Sequence, residues 1–176
     1  ERVDWAWEQY ERALVRSAWL ADDNLPYLDM LTGTEIFAEA FGCKVHRPAD
    51  NNPFALPLVH NAAEAARVKP VDLASSSLAG LFEMADRLRD RAGPDALLRL
   101  VDIQSPMDIV ALIWDKNDFY LALLEEPEAV KTLSALVYDL LTAFLETWFS
   151  RYGQDFIAHY PTYYMPRGIS VSEDEV

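Results

Sequence analysis

Apolar residues at Val3, Trp7, Tyr10, Leu14 and Ala18 recur at three- and four-residue intervals with charges between them. This pattern predicts an amphipathic lead-in helix over residues 1–20. Residues 25–31 form a short apolar run closed by Gly33, the pattern of a buried strand feeding a turn, and Asp29 is the anomaly inside it. Thr34 is placed to cap a helix with Ile36, Phe37, Ala40 and Phe41 on one face and Gly42 as its left-handed stop. Residues 44–57 carry three prolines, two consecutive asparagines and Asp50, which predicts an irregular excursion with a short hairpin strand at 43–46. A second helix is expected over 77–92, where Leu78, Leu81, Phe82, Ala85 and Leu88 share a face and Gly93-Pro94 ends the pattern. Residues 97–103 read as a second buried strand. Beyond them Gln104, Ser105 and Pro106 form a sharp strand-to-helix junction, with Ser105 as N-cap, Pro106 at the first helical position and Asp108 in the first turn. The longest helix is predicted over 127–151, with apolar residues at Val130, Leu133, Val137, Leu140, Phe144 and Trp148 and a stop at Gly153. Residues 155–160 then read as a third strand. The alternation of strand and helix implies a parallel α/β architecture.

Charge narrows the range of partners. The formal net charge is -14, with 29 acidic against 15 basic side chains, which argues against nucleic acid because a phosphate backbone is bound by clustered Lys and Arg. A small-molecule substrate is expected instead. No apolar run approaches the roughly 20 residues of a membrane span, and Asp4, Glu8 and Glu11 make the N-terminus too charged for a signal peptide, so a cytoplasmic location is expected. Cys43 is the single cysteine and reads as a buried, inert thiol. His46, His60 and His159 are too far apart in sequence to form a recognised metal motif, so no metal site is expected in this chain.

Three stretches in order carry a family resemblance: PYLDMLTGTEIFAEAFGC (26–43) with DNNPFALPLV (50–59), DIQSPMDIVALIWD (102–115) with FYLALLEEPEAV (119–130), and GISVSED (168–174). Together they resemble the uroporphyrinogen decarboxylase superfamily, in particular its bacterial branch, across nearly the whole chain. The resemblance implies a (β/α)8 TIM barrel, here its N-terminal half with an extra N-terminal helix: residues 1–176 as a single partial domain, with 1–24 as lead-in helix and connector. Such a barrel takes about 250 residues, while the pattern offers about three or four barrel strands in 176. Half a barrel leaves open edges, so either a second copy in a homodimer or a C-terminal half-barrel is expected to complete it. The acidic ending, 172–176, reads as a cut.

The resemblance implies decarboxylation of porphyrinogen acetate groups without a cofactor. An alternative is methyl transfer, which in related enzymes uses a corrinoid partner and zinc whose ligands would lie outside this chain. A third reading is a shortened inactive relative that binds a partner through the open edge. The chain departs from true decarboxylases in lacking the RQAGRY loop near the first strand, and it has Leu112 and Ile113 where they carry a substrate-contacting tyrosine. Barrel active sites form at the C-terminal ends of the strands, so Asp29, Gln104, Ser105 and residues 159–164 would share one rim.

The residues themselves leave alternatives open. Asp29, a carboxylate inside an apolar strand, is a candidate general acid or substrate anchor, or else it caps the turn before Gly33. His159, at a strand end, is a candidate acid/base group or a structural histidine. Gln104 and Ser105 suit an anionic substrate group at a helix start, or simple capping. Asp50, Asn51 and Asn52 suit the cleft mouth or an ordinary turn. Tyr160, Tyr163 and Tyr164 would wall a pocket for a flat ring, or pack under a loop.

Overall fold

The computed structural model describes residues 1–20 and 22–171, so the acidic ending and the last three residues of the GISVSED stretch lie outside the described residues. The three apolar runs become neighbouring parallel strands. β1 (Tyr27–Leu28) pairs with β4 (Leu97–Leu98), with Tyr27 opposite Leu97 and Leu28 opposite Leu98. Arg99 then bridges in parallel to Ile157 of β5 (Phe156–Ile157), so the order across the sheet is β1, β4, β5. The Arg99 N–H donates to the Leu28 carbonyl and the Leu100 N–H to the Ile157 carbonyl, each at 2.8 Å.

The regular pairings are much shorter than the runs 25–31, 97–103 and 155–160 suggested. In the first strand the cause is local. Pro26 has no N–H to give to a ladder, and Leu31 turns into the left-handed region at φ 56°. The aromatic stretch after β5 folds back as β6 (Tyr164–Met165), antiparallel to β5, with Phe156 opposite Met165. The sequence pattern did not predict that strand.

The helices flank this sheet. α1 (Arg2–Ser17) lies against β1, and α2 (Glu35–Ala40) follows the β1 turn. The proline-rich excursion holds a hairpin, β2 (Lys44–His46) against β3 (Phe54–Leu56). α3 (Ala62–Ala65) and a single 3-10 turn (Leu73–Ser75) lead into α4 (Ala79–Ala92). After β4, the Ser105 hydroxyl accepts from the Asp108 N–H at 3.1 Å and caps α5 (Pro106–Ile113), as its sequence position implies. α6 (Lys116–Glu125) was not anticipated: its apolar residues run contiguously from 119 to 124, so no single face stands out. α7 (Pro127–Tyr152) buries Val130, Leu133, Val137, Leu140, Leu141, Phe144 and Trp148.

The core is centred on α7. Phe144 meets Phe37 edge-on with ring centroids 5.5 Å apart, contacts Phe82 at 5.0 Å and stacks on Trp148 at 5.9 Å, which ties α2 and α4 to α7. Leu28, Leu98 and Phe156 from the three parallel strands join the same buried cluster. This packing fixes where the strands end, and so where the polar residues beyond them meet. Among the described residues no helix is long and apolar enough to cross a membrane.

Candidate functional site

Beyond β1, β4 and β5 the chain turns out of the sheet, and the polar residues at those turns converge. Asp29 follows β1, Arg99 and Asp102 follow β4, and His159 follows β5. The Arg99 guanidinium joins the three. Nη1 donates to Asp29 Oδ2 at 2.7 Å, while Nη2 donates to the His159 carbonyl at 2.5 Å and to Thr162 Oγ1 at 3.2 Å. The second oxygen of Asp29 accepts from the Leu31 N–H at 2.8 Å, so both carboxylate oxygens are engaged. His159 Nε2 lies 3.5 Å from Asp102 Oδ2, and the Asp102 N–H donates to Thr32 Oγ1 at 3.0 Å.

Asp29, Leu31, Thr32, Arg99, Asp102 and His159 line an open cleft of about 390 Å³, together with Thr34, Glu35, Asn52 and Pro53. Burial holds the His159 imidazole below its usual 6.5; the Asp102 carboxylate opposes that effect and the Arg99 charge adds to it. The ring is therefore neutral near pH 7, with Nδ1 buried and unpartnered. A second cleft of about 330 Å³ lies on the other side of Asp29 and Leu31, walled by Trp5, Gln9 and Arg16 of α1. α1 also acts on the turn directly. Arg2 Nη2 donates to the carbonyls of Met30 at 2.6 Å and Leu31 at 3.1 Å, which holds Leu31 in its left-handed conformation.

The residues singled out in the sequence divide into two groups. Asp29 and His159 stand in the cluster, bridged by Arg99. Asp50 and Asn51 are exposed on the hairpin loop, while the next two residues, Asn52 and Pro53, reach the cleft. Gln104 and Ser105 are buried at the start of α5 and do not line the cleft; Ser105 caps the helix, and Gln104 Oε1 has no partner. Tyr160, 79% exposed, and Tyr164 in β6 also stand outside the lining, although Thr162 between them holds Arg99. Sequence reasoning missed Arg99, Asp102, Thr32 and Glu35. The signal for the first two was present: a cation and an anion interrupt the apolar run 97–103, as Asp29 interrupts 25–31. Cys43 is buried, which pushes its thiol up to about 11, an unreactive state.

Residues 27–158 match the family model described as Uroporphyrinogen decarboxylase (URO-D). No curated protein matches the chain. Among solved structures, a methyltransferase from Methanosarcina mazei is similar with a TM-score of 0.65 and 12% identity, over 83% of this chain and 43% of that protein. At that identity the likeness concerns the fold, part of a (β/α)8 barrel preceded by α1. The chain spans less than half the length of that structure.

Proposed function

This chain belongs to the uroporphyrinogen decarboxylase family, and from that premise we propose that its strand-end cluster forms one wall of a carboxy-lyase active site for a tetrapyrrole or a related small ring substrate. The observation that carries the reading is the convergence of Asp29, Arg99, Asp102 and His159 at the ends of three consecutive parallel strands, where barrels of this kind do their chemistry.

Losing carbon dioxide from an acetate on an electron-rich ring requires somewhere for the electron pair of the breaking C–C bond to go. A ring protonated at carbon is such a sink: it is cationic before the bond breaks and neutral after it has accepted the pair. Carboxylates fixed beside the ring stabilise that cation, and because they are already oriented they cost little reorganisation. Asp29, pinned by Leu31 and Arg99, and Asp102 serve in this way. The methylene carbon left behind then takes a proton and the ring carbon gives up the one it had gained, so that a single proton replaces the carboxyl and the neutral aromatic ring is restored. His159, held beside Asp102, is suited to relay it, since burial holds its ring below the usual histidine range and so favours giving the proton up. Arg99 keeps the loops after β1 and β5 together, so that the acids and the imidazole act on one substrate. No cofactor enters this scheme. Among the described residues no three His, Cys, Asp or Glu side chains group as a metal-ion site.

The test is release of carbon dioxide from carboxyl-labelled uroporphyrinogen under anaerobic conditions. The expected result is release by the unaltered protein and a loss of at least about a hundredfold in Asp29→Asn, in line with removing one preorganised electrostatic group. Full activity in Asp29→Asn would remove that residue from the mechanism.

A further inference from the structure

α1 turns one stripe away from the body of the molecule. Its inner face is fixed: Ala6 and Tyr10 are buried, the Arg91 guanidinium of α4 lies 4.1 Å from the Trp7 ring centroid, and Arg2 holds the Met30 and Leu31 carbonyls. On the opposite side Trp5, Glu8, Arg12, Val15 and Trp19 succeed one another at spacings of three and four residues, the seam along which two helices pack as a coiled pair. The Leu20 N–H still donates to the Arg16 carbonyl at 3.0 Å, so the chain keeps its helical course as far as Trp19. Large apolar side chains on this seam stand in solvent: Trp19 is 73% exposed, Val15 69% and Trp5 48%.

The charges along the stripe are segregated. The acids Asp4, Glu8 and Glu11 come first and the bases Arg12 and Arg16 last. Such a helix is complementary to itself run in reverse, because a twofold axis brings each acidic half against the basic half of the other copy. Within one copy, Arg12 and Glu8 lie 3.8 Å apart, too long for a hydrogen bond, and both are exposed, so little holds them to each other.

We infer that α1 is a self-association surface, through which two copies of this chain pair antiparallel along their outer stripes. With the axis at the height of Tyr10, Glu8 faces Arg12 of the second copy, Asp4 faces its Arg16 and Trp5 faces its Val15, and each contact occurs twice. The net charge of -14 opposes contact between copies in general, and this stripe supplies the bases that offset it. The contact uses no strand, and none of the seam residues lines the strand-end cleft. A 16-residue helix is about 24 Å long, so the interface is smaller than the roughly 1,600 Å² of a standard one. The dimer is therefore expected to dissociate in the micromolar range.

Sedimentation velocity of the whole chain across that range is expected to show a concentration-dependent dimer. Arg12→Glu and Glu8→Arg each set like charges against each other twice across the axis, and each is expected to weaken the dimer at least about tenfold. The double variant Glu8→Arg/Arg12→Glu exchanges the pairs without losing them and is expected to return to within about threefold of the unaltered protein. An equimolar mixture of the two single variants has only complementary pairs, and is expected to associate at least about tenfold more tightly than either alone. That recovery guards against a folding defect in either variant. A monomer at every concentration overturns the inference. A dimer indifferent to the single substitutions places the contact on another surface, such as the open sheet edge, and also overturns it. Failure of either the double variant or the mixture to recover overturns the antiparallel pairing of Glu8 with Arg12.

Discussion

Replacing Arg99 with methionine removes the contact that joins three strand ends while keeping much of the apolar bulk of the side chain. The Arg99 and Asp29 side chains retain 19% and 21% of their exposure, which places the pair between two regimes. Exposed pairs contribute about 0–1 kcal/mol, while breaking a buried pair from one side costs about 3–5 kcal/mol. Arg99 also gives hydrogen bonds to the His159 carbonyl and to Thr162. Asp29 would not be left bare, because the Leu31 N–H at 2.8 Å remains and water reaches the cleft. The balance is a loss of about 2–4 kcal/mol for Arg99→Met. Arg99→Lys keeps the charge but cannot bridge three acceptors, and is expected to lose about 1–2 kcal/mol. Urea denaturation followed by fluorescence of the five tryptophans measures both. A cycle with Asp29→Asn is expected to return a coupling of about 1–2 kcal/mol between the two residues. A loss below about 0.5 kcal/mol for Arg99→Met, or no coupling, refutes the claim that this guanidinium organises the site.

Two further outcomes follow from the same geometry. His159 binds its proton less readily folded than unfolded, so as pH falls below 6.5 the unfolded chain is protonated first; the stability attributable to the neutral ring is complete above that value and declines as pH falls toward the folded pKa. Thermal melts of His159→Gln between pH 7.5 and 5 are therefore expected to fall off less steeply than those of the unaltered protein, and parallel curves would contradict the burial argument. Arg2→Ala is expected to cost about 1 kcal/mol by releasing the Met30 and Leu31 carbonyls, and Leu31→Gly, which tolerates the left-handed turn, is expected to recover part of that loss in urea melts of the double variant.

Much of the fold was legible because its signals are local. The periodic faces of α1, α4 and α7, the Ser105 cap and the glycine stops depend on residues within a turn or two of each other. The parallel order of the strands followed from the alternation of elements. The true length of β1 did not, because it depends on the left-handed Leu31, which Arg2 holds from 29 residues away. α6 stayed hidden because its continuous apolar run from 119 to 124 carries no helical period. Within the site, Asp29 and His159 stood out as polar residues at apparent strand ends. Arg99 and Asp102 carried the same mark in the run 97–103, but their role depends on partners 60 and 70 positions away, a proximity that only folding creates. Glu35 looked like an ordinary first-turn glutamate; its burial against Gly33 with Oε2 unpartnered is set only by folding.

The most direct test uses the three histidines as reporters. Uroporphyrinogen is titrated anaerobically into the protein while the imidazole proton resonances are followed by NMR, with His46 and His60, both exposed and outside the cleft lining, as internal controls. A ligand seated among Asp29, Arg99 and Asp102 is predicted to shift the His159 resonance and move its titration midpoint while the other two stay within error. An unmoved His159 at saturating ligand, or shifts confined to His46 and His60, contradicts the placement of the active site at these strand ends.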